Sequence, residues 1–342
     1  MERKKFVGFG EILLRMSPDG YLRFAQAEHF NLSYSGAEGN MAVALSYMGM
    51  PAEMVTKLPD NDIGRCAKRA LDKYSVQTDH IAWGGERLGL YYLERGASQR
   101  PSKVIYDRKH TAISEVGPED FDWDEIFSDA GWFHFTGITV ALSKNLQKIC
   151  LQACITAKRQ NVKVSCDLNY RKMLWTPEEA QAAMKPLMQY VDVLIANEED
   201  SEKVLGVKAA DTDITAGKLC IDGYVSLAKK LTDDYGFEMV AVTLRESISA
   251  SVNNWSALLY TDRAAYVSKK YTMQIVDRVG GGDSFASGLI YAVLNDFDAQ
   301  KIVEFAAGAS CLKHSIEYDF NLSTPEDVLN LINGDGSGRV VR

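Results

Sequence analysis

Apolar residues along this chain fall into short strand-like runs that alternate with longer stretches in which they recur every three to four positions. The runs at 6–15, 53–58, 132–136, 163–168, 192–196 and 239–244 read as strands, and the periodic stretches at 39–48, 63–74, 144–159, 177–188 and 224–235 read as helices. One helix start is written out locally: Thr176, Pro177 and Glu179 form a capping box with proline in the first turn. Strand and helix in alternation predict βαβ units around a mostly parallel sheet.

Two aromatic-rich stretches, 21–34 and 88–107, break the alternation, with strand character and no helix between their apolar runs. They read as antiparallel hairpin material which, if paired, forms a small second sheet over the ends of the parallel strands, where open α/β sheets bind ligands. The expected lid spans about 12–35 and 88–110, and the same sheet can join two subunits. The remainder reads as one domain over 1–333, with a polar surface insertion at 206–222 and a flexible glycine-rich tail at 334–342.

Composition narrows the function classes. With 342 residues, 46% hydrophobic and 25% charged, the chain has ample material for a large core. A net charge of −8, a sequence pI near 5.3 and no run of five basic residues argue against a nucleic-acid partner. The cysteines at 66, 150, 154, 166, 220 and 311 are scattered without a Cys-x-x-Cys pair, which disfavours zinc and fits free thiols in a reducing compartment. The apolar stretch after Lys5 is interrupted by Glu11 and Arg15, too soon for a signal peptide, and no run of about 18 apolar residues follows, so a cytoplasmic location away from membranes is expected.

The densest chemical signal is Asp277-Arg278-Val279-Gly280-Gly281-Gly282-Asp283-Ser284-Phe285, ahead of a helical run at 285–294. Consecutive glycines let several backbone N–H groups point one way, and a helix start adds positive potential, so the turn can cradle an anion. A carboxylate at its end is placed to take a proton from a hydroxyl attacking a phosphoryl group, although a bare Gly-x-Gly-Asp also serves as a plain helix cap. Neither Gly-x-x-x-x-Gly-Lys-[Ser/Thr] nor a Gly-x-Gly-x-x-Gly after the first strand is present, which sets aside P-loop and dinucleotide-binding folds.

The longer pattern Asp277, Gly280, Gly282, Asp283, Phe285, Gly288 resembles the C-terminal signature of the PfkB (ribokinase-like) carbohydrate kinases. Gly8-Phe9-Gly10-Glu11, then Ser35-Gly36-Ala37-Glu38-Gly39-Asn40, then Asp60 and Gly64 resemble the N-terminal one, and the likeness runs from Val7 to about Leu331. It implies a three-layer α/β/α sandwich with a β lid, ATP and Mg2+, Asp283 as base, and Gly280, Gly281 and Gly282 in the anion hole. Asn197-Glu198-Glu199-Asp200 resembles an Asn-x-x-Glu element associated with magnesium, which leaves Asp200 and Glu199 as alternatives.

Within the family the chain is most similar to kinases of 2-keto-3-deoxygluconate. Arg108 and Arg171 match arginine positions there, and a guanidinium fork suits a carboxylate better than a neutral hydroxyl. The resemblance places Gly36, Asn40, Tyr91, Tyr106 and Asp319 at the sugar, and Asn169, Asn197, Thr243, Arg245, Ser247, Gly308, Lys313 and His314 at the nucleotide. It implies phosphorylation of the terminal C6 hydroxyl by ATP, in a homo-oligomer joined through the lid. The alternatives are a kinase for a neutral ketohexose such as fructose, or a sugar-acid-binding protein without phosphoryl transfer.

Overall fold

The computed structural model describes residues 5–208 and 221–334. Nine strands form one sheet in the order 264–267, 252–261, 239–247, 193–196, 163–167, 130–136, 5–9, 52–55, with 271–274 pairing beside 252–261. Neighbours from 52–55 across to 239–247 are parallel, and the last strands are antiparallel. Helices cover both faces. One apolar core joins helices Lys144–Arg159, Pro177–Met188 and Ile221–Tyr235 to the sheet, and the other joins Ala37–Tyr47, Gly281–Leu294 and Ala299–Lys313. This is the expected three-layer sandwich.

Helices Lys144–Arg159 and Pro177–Met188 have the expected bounds, and the Thr176 hydroxyl accepts from Glu179 N as its capping box requires. Other expectations need correction. The run at 6–15 is two strands: Lys5–Phe9 lies in the main sheet, and Leu13–Ser17 crosses into the small one after Gly10 and buried Glu11. The run at 53–58 likewise divides, since Ala52–Val55 joins the main sheet and Lys57–Leu58 pairs with Ala82–Trp83. Apolar pattern marks extended backbone but carries no information about which sheet receives it.

The small sheet has the order 31–35, 13–17, 89–94, 103–107. The two aromatic stretches therefore do not pair with each other. Leu13–Ser17 lies between them, antiparallel to Asn31–Ser35 and parallel to Gly89–Glu94. The strands at 252–274 and helix Ala299–Lys313 were not anticipated. Nine of its fifteen residues are buried and only Gln300 is exposed, so it shows little of the polar face that gives a helix its period. Most of the 206–222 insertion, and the 334–342 tail beyond Gly334, lie outside the described residues.

Candidate active site

The parallel strands end on one edge, and the chemistry collects there: Gly10 and Glu11 follow the first strand, Asn169 follows Lys163–Asp167, and Asn197 follows Val193–Ala196. Open α/β sheets bind ligands at this edge. Helix Gly281–Leu294 starts at the glycine turn itself, four residues before the expected run, with Gly280 as its N-cap at φ 82° and no side-chain cap. Ser284 N donates to Gly280 O at 2.9 Å, whereas the amides of Gly282 and Asp283 have no protein acceptor among the described residues. Free amides at an uncapped helix start form an anion site.

The Asp283 carboxylate accepts from Asn40 Nδ2 at 2.6 Å, which fixes its orientation across the two helices. Its pKa is pushed up to about 6, because burial disfavours the charge more than the Asn40 hydrogen bond favours it. Arg171 lowers it in part, and that exposed guanidinium has no ion pair among the described residues; its one protein bond goes to Tyr170 O at 2.9 Å. Glu38, one helix start away, is buried against Thr136 N at 3.0 Å and Thr139 Oγ1 at 2.8 Å, and burial raises its pKa to about 7. The floor beside Asp283 is therefore acidic and poorly solvated.

Asp200 and Glu199 separate clearly. Asp200 is buried, accepting from Tyr170 N at 3.1 Å and Asn197 Nδ2 at 2.9 Å, with burial raising its pKa to about 7, while Glu199 points to solvent. Asp167 lies near both Asp200 and Asp283, and burial followed by these like charges pushes its pKa well up. Asn169 holds a left-handed φ of 38°, its amide donating to Asp167 Oδ1 at 3.1 Å.

On the lid side, the Arg108 guanidinium is gripped by Glu11, with Nε 2.9 Å from Oε2 and Nη2 bonded to the same oxygen, and lies over the Tyr106 ring at 5.2 Å. Tyr106 is exposed, whereas Tyr91 is buried, its hydroxyl bonded to Asp319 Oδ2 at 2.5 Å and to Ser35 Oγ at 3.0 Å. Asp319 is itself buried, its other oxygen taken by Arg15 at 2.6 Å. The Gly36 amide lies 3.4 Å from Asn40 Oδ1.

Thr243, Arg245 and Ser247 alternate along the far end of Met239–Ser247 and so share one face, with Arg245 and Ser247 exposed. Three more residues expected at the nucleotide are engaged by protein neighbours. Gly308 is packed where helix Pro325–Ile332 crosses, with the Ile332 and Val328 side chains against it. Fully buried Lys313 donates to Asp277 O at 3.4 Å and Ile316 O at 3.2 Å. His314 donates from Nδ1 to Ser310 O at 2.7 Å and backs Gly281, and burial lowers its pKa to about 4, leaving the ring neutral.

Four residues at this edge were not anticipated as site members: Glu11, Arg15, Glu38 and Arg278. Arg278 donates to Ala250 O at 2.9 Å and has no carboxylate partner among the described residues, and its pKa is lowered by burial and by Arg245. The only available signal is its place inside the glycine motif.

An uncapped glycine turn beside a raised carboxylate, at the carboxyl edge of a parallel sheet, is suited to phosphoryl transfer onto an alcohol. The chain belongs to the pfkB family of carbohydrate kinases, whose family model matches residues 4–317. It is 32% identical over 335 residues to the 2-dehydro-3-deoxygalactonokinase of Haloferax volcanii, covering 98% of each chain. The 2-dehydro-3-deoxygluconokinase of Thermoproteus tenax is 28% identical, covering 95% of this chain and 93% of its own. The crystal structure of 2-dehydro-3-deoxygluconokinase from Thermotoga maritima superposes with a TM-score of 0.94 at 52% identity, covering 97% of this chain and 100% of that one. No helix among the described residues is long and apolar enough to cross a membrane.

Proposed function

We propose that this carbohydrate kinase transfers the terminal phosphoryl group of ATP, with Mg2+, to the C6 hydroxyl of 2-keto-3-deoxy-D-gluconate. The observation that carries the reading is the meeting of Asp283 with the free amides of its own turn, in a chain 52% identical to a 2-dehydro-3-deoxygluconokinase. As the C6 oxygen bonds to phosphorus and the bond to the departing ADP breaks, the hydroxyl proton passes to Asp283. The free amides of Gly282 and Asp283, in a turn set by Gly280 and Gly281, hold the oxygens of the moving group, where preorganised donors stabilise developing charge.

Arg108 and Arg171 take the sugar-acid carboxylate, Arg108 keeping Nη1 available while Glu11 holds the rest of its fork. Gly36, Asn40 and Tyr106 line the sugar, and Tyr91 and Asp319 shape that wall from behind. Asn169, Asn197, Thr243, Arg245 and Ser247 meet the nucleotide, with Arg278 beside its phosphates, while Gly308, Lys313 and His314 act through packing. Mg2+ would be held through one or two carboxylates together with substrate phosphates, and buried Asp200 fits that role better than exposed Glu199. The ion neutralises phosphate charge when bound.

A coupled ADP-release assay across both 2-keto-3-deoxy acid epimers, fructose and other sugars tests the reading. ADP is expected with the acids; turnover on fructose alone would overturn it. The neutral-ketohexose alternative is not favoured by the relatives' names. Arg108→Ala should lower kcat/KM for the acid by about 10- to 100-fold, since a hydrogen bond to a charged group contributes about 1.5–3 kcal/mol. An unchanged value would point away from an acid substrate.

Two further assignments belong to this reading. The outer lid strand Lys103–Asp107 is exposed along its length at a sheet edge, with Val104 and Ile105 bare, so we assign it to subunit pairing. Light scattering should give a dimer or larger, and Ile105→Lys should dissociate it; a monomeric parent protein refutes the assignment. The free thiols at 66, 150, 154, 166 and 311 fit a cytoplasmic location.

A further inference from the structure

The bulkiest fully buried charged side chain among the described residues has no place in the chemistry above. Arg15 stands on lid strand Leu13–Ser17, is 1% exposed, and reaches out of the lid into the sandwich. Its Nη2 lies 2.5 Å from Asp277 Oδ2, its Nη1 2.6 Å from Asp319 Oδ1, and its Nε donates to Ser17 Oγ at 2.8 Å. The guanidinium also lies over the Tyr318 ring, at 5.4 Å from its centroid. Three fork positions are thus used on three fixed acceptors, all buried.

Both acid partners lead directly to the glycine turn. The second Asp277 oxygen accepts from Val279 N at 3.2 Å, bracing the residue before Gly280. The Asp319 carbonyl oxygen lies so close to Gly280 that a Cβ there would meet it at 2.1 Å. The other Asp319 carboxylate oxygen takes the hydroxyl of Tyr91, on the neighbouring lid strand. Lys313 bonds the carbonyls of Asp277 and Ile316 from below, joining the same two loops. Two cations and two carboxylates therefore balance beneath the turn. Arg15 is the member that belongs to the lid.

We propose that Arg15 is a positioning residue for phosphoryl transfer: it locks the lid's central strand to the anion-binding turn, so that the sugar-facing lid and the phosphate-holding amides share one register. The inference rests on the turn being the phosphoryl site. It requires the bidentate reach of arginine, because a lysine ammonium retains the charge but cannot span both carboxylates in that planar geometry. Misplacement of reacting groups by about 1 Å can cost about 100-fold in rate.

The test compares Arg15→Lys and Ser17→Ala with the parent protein on its best acceptor from a sugar and sugar-acid panel, alongside calorimetric MgATP binding and the folded fraction from unfolding curves. Arg15→Lys should lower kcat per folded molecule by about 10- to 100-fold and raise the acceptor KM several-fold, with MgATP affinity within about threefold of the parent. Ser17→Ala, which frees only Nε, should lower kcat by about three- to tenfold and serves if the lysine protein fails to fold. Parent-like kcat and KM per folded molecule in Ser17→Ala, or in a folded Arg15→Lys, would leave Arg15 a stabilising residue only and refute the proposal. A parent protein that releases ADP with no acceptor would overturn the transfer reading itself, and this inference with it.

Discussion

Asp283→Asn is expected to lower kcat by roughly 100- to 10,000-fold, the usual contribution of a general base, with acceptor and MgATP binding retained. The amide still accepts from Asn40, so the geometry at 2.6 Å survives while the proton acceptor is lost. The pH dependence gives a second, independent reading. Burial lifts the Asp283 pKa to about 6, so the free enzyme carries the reactive carboxylate only above that pH. In the parent protein kcat/KM should rise with an acidic limb centred near pH 6 and level off above it, and the limb should vanish in the asparagine variant's residual activity.

The same shift fixes the sign of the stability effect. A carboxyl whose folded pKa lies above its unfolded value binds more protons in the folded state between the two. Its contribution to stability is then greatest below about pH 4 and declines as pH rises through 6. Asparagine has no charge to desolvate, so above pH 6 the variant should melt at or above the parent temperature. An inactive variant that is also less stable at pH 7 would mean that lost folding, not a lost base, explains the rate. The proposed base is thus a buried charge that destabilises the fold at neutral pH.

How much of this could be read in the chain differs by element. Helices Lys144–Arg159 and Pro177–Met188 were fully legible because an amphipathic period and a capping box are local properties. The glycine turn was legible as a turn ahead of a helix because its residues lie in one segment, whereas the proposed role of Asp283 comes from the resemblance of six of those residues to the family signature. Arg15 was not, because its partners lie 262 and 304 positions away and nothing near Arg15 records them. Glu11 and Arg108, 97 apart, are the same case. Sequence could nominate Arg108 as a cation, but only the fold reveals that Glu11 aims it.

The choice between Glu199 and Asp200 has a different origin. Both sit in one short acidic segment, and composition cannot rank them. Asn197 ranks them by capping: its side-chain oxygen accepts from Asp200 N at 2.8 Å, which turns the Asp200 carboxylate inward and leaves Glu199 in solvent. Likewise, Lys313 and His314 lie close to the motif in space, yet burial directs one to backbone carbonyls and the other to Ser310. Proximity to the site was legible. The protein partners of these two side chains were not.

Gly280→Ala carries the other large expected effect. At φ 82° an alanine is strained by about 1–3 kcal/mol, and its Cβ would stand 2.1 Å from the Asp319 carbonyl oxygen. Asp319 cannot retreat freely, since its carboxylate is held by Arg15 and Tyr91 in a site that is almost solvent-free. The turn must therefore move, taking the Gly282 and Asp283 amides with it. A loss of about 2–4 kcal/mol in denaturant unfolding and at least about 100-fold in kcat is expected. Gly282→Ala is the control for stability: a Cβ there meets nothing within 4 Å, so its unfolding midpoint should match the parent. Parent-like stability and turnover in Gly280→Ala would mean that this turn neither needs its left-handed residue nor holds the phosphoryl group in the position its amides define.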